Sequence, residues 1–401
     1  MPQFTLLYGA RQLLTLRGPS EARRGSDLHE LAIVENGSVL IENGVVHSLG
    51  STRRIENLKE AKDALTIDVS GGIVMPGLID PDVTLTYGGS AHGRSRRAPR
   101  IYEDGLALMR SCLQQGTVAA VLNASAETKS FASDVALLRQ IQKIGRNPVD
   151  TVRAWQIARM PEDAAELSAL GQALDIAAKR RLVECFCISS DVACDQNFGA
   201  CLNRILGTRV PSVLRWNGGR GPTLEDILSQ MRPRAVSCSS LLSSDEVAAL
   251  AGSSAIAVFA PGSEMGRSSG SGLRRLADAR GAVALSSGYH PVRTPGFSMQ
   301  MAISLATIHG GLSAEEAIVA ATVNAAYAAG CGHATGTIEK GRRANLLILN
   351  VPDYREIPRQ FGINRVSTVL KDGDVVLNRA GWKMVSNAAA GRMRSQHLRG
   401  A

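Results

Sequence analysis

The rhythm of apolar and polar positions changes twice along the chain. Residues 4 to 75 read as short strands separated by turns. In LAIVENGSVLIENGVVHSLG (31–50), two Asn-Gly pairs sit between alternating apolar residues, a hairpin signal because both residue types tolerate positive φ. From about Ile73, strand-like apolar runs alternate with segments of helical period. TVAAVLNAS precedes SDVALLRQIQKIG, RLVECFCIS precedes DQNFGACLNRILG, and SVLRWN precedes TLEDILSQM. AVSCSS, AIAVFAPG and VALSSGYHP each lead into another helical stretch. Repeated strand-then-helix units predict a parallel sheet with covering helices, in a number close to that of a (β/α)8 barrel. An open doubly wound sheet is the structural rival, but no Gly-rich phosphate fingerprint follows the first strand. Near residue 335 the short-strand pattern returns in GTIEKGRRANLLILNV and VSTVLKDGDVVLN. The expected fold class is therefore α/β. A TIM-like barrel over 73–334 is inserted in a small discontinuous β-sandwich domain built from both chain ends, 1–72 and 335–401.

Composition changes little in this picture. Of 401 residues, 44% are hydrophobic and 20% charged, ordinary for a globular chain and unlike a disordered one. The net charge of +9 would suit an anionic ligand or nucleic acid. The arginines are spread along the chain, however, and the one tight cluster, GRSRRAPR (93–100), has no aromatics for base stacking; neither nucleic acid nor membrane is expected as a partner. MPQFTLLYGARQLL has none of the parts of a secretion leader. Seven cysteines, an odd number without zinc-finger spacing, point to a reducing, cytoplasmic setting.

The chemistry should lie where VMPGLIDPDVTLTYGG (74–89) ends an apolar strand in Asp80, Asp82 and Thr84. Asp82 reads as a general acid or base, or as a satisfied polar group at a strand end. His290, beside Pro291 and near Arg293 past the eighth strand, reads as an anion binder, a base or a surface loop histidine. Cys185 and Cys187 alternate on one strand and face one way. With Cys238 and Cys194 they are a soft-metal candidate, or simply small core hydrophobes. The GRSSGSG loop (266–272) is an anion cradle or a flexible connection, and Arg342 and Arg343 belong to a strand turn.

The β–barrel–β order resembles the amidohydrolase superfamily, and within it the imidazolonepropionases, which open a cyclic amide in histidine degradation. The resemblance is carried by GGIVMPGLIDP (71–81), YGG (87–89), FC (186–187), LSAEEAIVAATVNAAYAAG (312–330), GTIEKGRRANLLILNVPD (336–353) and FGINRVSTVLKDGDVV (361–376). It implies a zinc or iron ion held by an H-x-H pair on barrel strand one, a His on strand five and an Asp on strand eight, with a further His on strand six. Alternate strand residues share a face, so such a pair points into the barrel mouth, and the metal would lower the pKa of its bound water.

By position, the H-x-H pair falls on Asp82 and Thr84. The strand-five His falls on Arg215, the strand-six His on Ser240 and the strand-eight Asp on Gly288. The glutamate after FC falls on Ile188, a strand-three His falls near Ala158, and the substrate loop is shortened to SAHGRSRRAPRIYEDG. A guanidinium at position 215 repels a metal, and a buried charge requires a partner. Arg215 is therefore expected to occupy the metal's place and pair with Asp82.

Three readings follow. The first is a metal-free, catalytically degenerate relative acting as a binding or assembly partner in a homo- or hetero-dimer, with no cofactor. The second is a remodelled hydrolase of cyclic-amide C–N bonds, with zinc or iron on new residues such as Asp82, Cys187 or His290. The third is a binder of a small anionic metabolite through Arg215, Arg293 and His290. A barrel filled by side chains favours the first; a roomy pocket over an arginine floor favours the third.

Overall fold

In the computed structural model, the described residues are 3–87, 100–126, 130–145, 147–219, 221–239, 241–264, 272–380 and 385–386. Ser240, the 266–271 loop, the basic run at 93–99 and the tail beyond Ser386 lie outside them. Five strands come first: β1 (Phe4–Leu14), β2 (Ile33–Glu42), β3 (Val45–Ser51), β4 (Leu65–Asp68) and β5 (Ile73–Pro76). The barrel strands follow: β6 (Leu78–Tyr87), β7 (Thr117–Ala126), β8 (Asp150–Ile157), β9 (Cys185–Ser189), β10 (Ser212–Trp216), β11 (Ala235–Cys238), β12 (Ile256–Phe259) and β13 (Ala282–Leu285). The chain ends with β14 (Leu346–Leu349), β15 (Val366–Lys371), β16 (Asp374–Asn378) and β17 (Val385–Ser386).

Strands β6 to β13 pair in chain order as one parallel sheet of eight. The seam between β6 and β13 is joined by a parallel bridge from Val83 to Tyr289, and the Thr84 N–H donates to the Tyr289 carbonyl at 2.8 Å. Helices separate successive strands, and their starts are written in the sequence. Thr223 with Asp226, Ser243 with Glu246, and Ser313 with Glu316 each form a reciprocal capping box, satisfying amide groups that a helix cannot satisfy itself. The apolar faces of strands and helices merge into one large core.

The remaining strands, drawn from both chain ends, form one hydrogen-bonded mixed sheet of nine. Strand β1 accounts for this. It breaks register between Leu7 and Ala10, where Gly9 takes φ +76°. Its first half pairs with β4, its second half with β5, and β2 runs along both. Ile73–Pro76, just past the expected boundary at 72/73, pairs with β1 and β14 in the terminal sheet, and the first barrel strand starts at Leu78. Only one of the two Asn-Gly pairs makes a hairpin. Asn43 and Gly44, with φ of +47° and +84°, turn β2 into β3; Asn36-Gly37 lies within β2.

Sheet and barrel are tied by charge. Arg343 reaches Asp150 at 2.7 Å and Asp372 at 2.6 Å, and Lys371 reaches the same two carboxylates. Arg343, read from the sequence as a turn residue without chemistry, therefore links the start of β8 to the turn after β15.

Candidate active site

Asp82, near the middle of β6, is almost fully buried, and three donors from three other strands converge on its carboxylate. Arg215 Nη2 on β10 is 2.6 Å from Oδ1, Asn123 Nδ2 on β7 is 2.7 Å from the same oxygen, and Ser237 Oγ on β11 is 2.7 Å from Oδ2. The expected Arg215–Asp82 pair is thus formed inside the barrel, with the Arg215 side chain 24% exposed and that of Asp82 7%. Burial opposes the charge on Arg215. The Asp82 carboxylate outweighs that penalty and holds the guanidinium above its ordinary pKa. Asp82, Asn123, Cys185, Cys187, Arg215 and Ser237 line an interior cavity of about 10 Å³, room for about one water molecule. Beside it, Arg215 Nε and the hydroxyl of Ser189, its register neighbour, are buried without hydrogen-bond partners among the described residues.

Asn123 and Ser237 escaped the sequence reading. Each is an ordinary polar residue at the inward phase of a strand, and only the registers Thr84↔Asn123 and Arg215↔Ser237 bring them to this cluster. The signal was present as a polar interruption in TVAAVLNAS and AVSCSS, where the sequence pointed to Ser240 instead.

A second buried carboxylate lies two residues earlier. Asp80 Oδ2 accepts from Ser287 Oγ at 2.5 Å, and Oδ1 accepts from the backbone N–H groups of Ser287 and Asp82 at 3.2 and 3.3 Å. Ser286 Oγ donates to the Asp82 carbonyl at 3.2 Å. The bonds from Ser286 and Ser287 cross the seam between β6 and β13, where backbone pairing among the described residues is reduced to a single bridge, and so latch the barrel shut. Burial pushes the Asp80 carboxyl up to about 7, partly offset by the bonds from Ser287 and Asp82.

The folded chain therefore keeps a proton on Asp80 over a range in which the unfolded chain has released it. Its stability should fall as pH rises from about 4 through about 7. Asp80→Asn keeps an oxygen acceptor for Ser287 and removes the titration. In denaturant melts at pH 5 and pH 8, the variant should lose much less stability between the two pH values than the native chain, a difference on the order of 2 kcal/mol. Parallel pH profiles would show that Asp80 is not the group responsible.

The other expected site residues do not join this cluster. Gly288 follows β13 with φ +61°, and a Cβ there would sit 2.4 Å from the Cβ of Ala260. His290 belongs to the turn beyond it, where its Nδ1 accepts the backbone N–H groups of Val292 and Arg293 at 3.2 Å each; that is the work of a loop histidine. Arg293 is exposed on the same turn. Thr84 is buried opposite Asn123, and Ile188 is wholly buried in the core. Cys185 and Cys187 share the interior cavity as expected, but Cys194 and Cys238 are not in its lining. Burial raises the thiol pKa of Cys185 to about 12 and also raises that of Cys187, which marks both as inert. Among the described residues, no three His, Cys, Asp or Glu side chains come together as metal ligands.

These residues do not suit a catalytic divalent metal. Such a site needs several neutral or anionic donors around an open position. Here a guanidinium lies against the Asp82 carboxylate, Asp80 is engaged by Ser287, and Gly288 beyond strand eight offers no side chain.

The eight-stranded parallel barrel with a terminal sheet drawn from both chain ends is an amidohydrolase architecture. Residues 243–377 match the Amidohydrolase family. The chain is 30% identical to an imidazolonepropionase of Geobacillus kaustophilus, over 92% of this chain and 97% of that one. It is 27% identical to an imidazolonepropionase of Brevibacillus brevis, over 92% and 96%. Among solved structures, a zinc-bound adenosine deaminase from Xanthomonas campestris superposes with a TM-score of 0.67 at 18% identity, over 99% of both chains. The chain belongs to the amidohydrolase superfamily, in its imidazolonepropionase-like branch. No helix among the described residues is long and apolar enough to cross a membrane.

Proposed function

We propose that this chain is a metal-free imidazolonepropionase-like protein that has given up metal-assisted hydrolysis and serves as a binding or assembly partner. The observation that carries this reading is the Arg215–Asp82 pair, 2.6 Å apart, at positions where the family resemblance places two metal ligands. In metal-assisted hydrolysis the metal generates the nucleophile, and a fixed cation in its place does not. The small interior cavity supports the same reading, because the barrel at this level is filled by its own side chains.

The relatives' names are those of enzymes, which favours a second reading: a hydrolase of cyclic-amide C–N bonds that works without the usual metal. Metal analysis after exhaustive dialysis without chelator, followed by assay on the imidazolone substrate with and without added zinc or iron, separates the two. The expected result is less than about a tenth of an equivalent of zinc, iron or manganese and no turnover in either condition. Turnover without metal would establish the second reading. About one equivalent of tightly held metal would overturn the first and direct attention to new ligands.

A further inference from the structure

At the end of the barrel where the strands begin, opposite the mouth, a groove of about 800 Å³ is lined by Arg24, Arg232, Arg234, Tyr327, His333 and Glu21, with small residues between them. Its volume is that of a small-molecule site. Arg234 directly precedes β11, and Arg232 caps the helix Leu224–Met231 in a left-handed conformation, φ +44°. Arg24 comes from the loop after β1.

Main-chain oxygens aim two of these cations. Arg24 donates to the carbonyls of Ala251 and Ser253 at 3.3 and 2.9 Å, and Arg234 Nε donates to that of Ala328 at 2.9 Å. No ion pair forms between any of the three arginines and a carboxylate among the described residues, whereas Arg215, Arg274 and Arg343 all have one. Burial lowers the Arg24 pKa, and the charge of exposed Glu21 only partly offsets this. Tyr327 and His333 form an edge-to-face wall, with ring centroids 5.6 Å apart. Three guanidinium groups line one groove and none pairs with its carboxylate, Glu21, among the described residues; their forked donors match phosphate or carboxylate oxygens.

We propose that this groove binds a small organic oxyanion, a metabolite bearing phosphate or carboxylate groups, at the end of the barrel remote from the Arg215–Asp82 pair. The inference is independent of whether the chain hydrolyses anything.

Calorimetric titration of the full chain with inorganic pyrophosphate, and separately with citrate, tests it and distinguishes the two oxyanion chemistries. At least one probe should bind saturably at one site per chain. Arg232→Gln, whose exposed side chain makes no hydrogen bond or ion pair among the described residues, and Arg234→Gln should each weaken that binding about tenfold. The thermal midpoint of each anion-free variant reports whether the fold is kept, and Arg232→Gln should leave it unchanged. Absence of saturable binding by both probes would overturn the proposal. So would affinity within about twofold of native in both variants, because the anion would then sit elsewhere.

Discussion

Arg215→Met should destabilise the chain by about 3 kcal/mol, because it leaves Asp82 buried without its cation. Asn123 and Ser237 would still donate to the carboxylate, but neither carries charge. The partner substitution sets the comparison. Asp82→Asn together with Arg215→Met removes both charges, and neutral replacements of a buried pair are tolerated far better than a broken one. The double variant should recover at least half of the loss, and a double-mutant cycle in denaturant reads the coupling directly. If Arg215→Met stays within about 0.5 kcal/mol of the native chain, the guanidinium contributes little and the idea that it fills the metal's place loses its energetic basis.

Gly288→Ala should lower stability by roughly 2–4 kcal/mol, from two sources. The backbone at +61° belongs to the left-handed region, and the new Cβ would meet that of Ala260 at 2.4 Å. Ala260→Gly removes the clash and leaves the backbone strain, so the double variant should regain part of the loss and no more. Denaturant midpoints of the three proteins test this, and a single variant as stable as native would refute it. Restoring the family's aspartate at this position meets the same two obstacles. Gly288→Asp should therefore produce a weakened fold and no new metal site.

The architecture was legible because two patterns of different period are hard to confuse: alternating apolar strands with Gly turns at both ends, and strand–helix units between them. The Arg215–Asp82 contact was legible for a different reason. Two charged residues in inward strand positions cannot be buried separately, so each implied the other. What escaped reading depends on register. Asn123 and Ser237 reach Asp82 only because particular residues on neighbouring strands lie side by side. Asp80 and Ser287 meet across a seam whose geometry no local pattern encodes. His290 and Arg293 were suspected because of their place past the last strand, but the turn between His290 and Thr294 takes the imidazole for its own amide groups. Ile73–Pro76 looked like the barrel's first strand because a buried apolar run looks the same in either sheet, and the choice between them is made by β1 and β14.

That last pairing bears on how the chain can be made. Pro76 pairs with Leu346 and Ile73 with Leu349, so the whole barrel must be synthesised before β5 gains its second neighbour. Until then β5 presents a short apolar strand, Ile-Val-Met-Pro, whose side chains lack their cover, and transiently exposed apolar surface promotes aggregation. The N-terminal strands leave the ribosome as a sheet missing one flank, β14 to β16, and the final segment acts as the closing stitch. Chains truncated before Leu346 should therefore aggregate even with every barrel strand present, and the last 56 of the 401 residues decide whether the rest remains soluble.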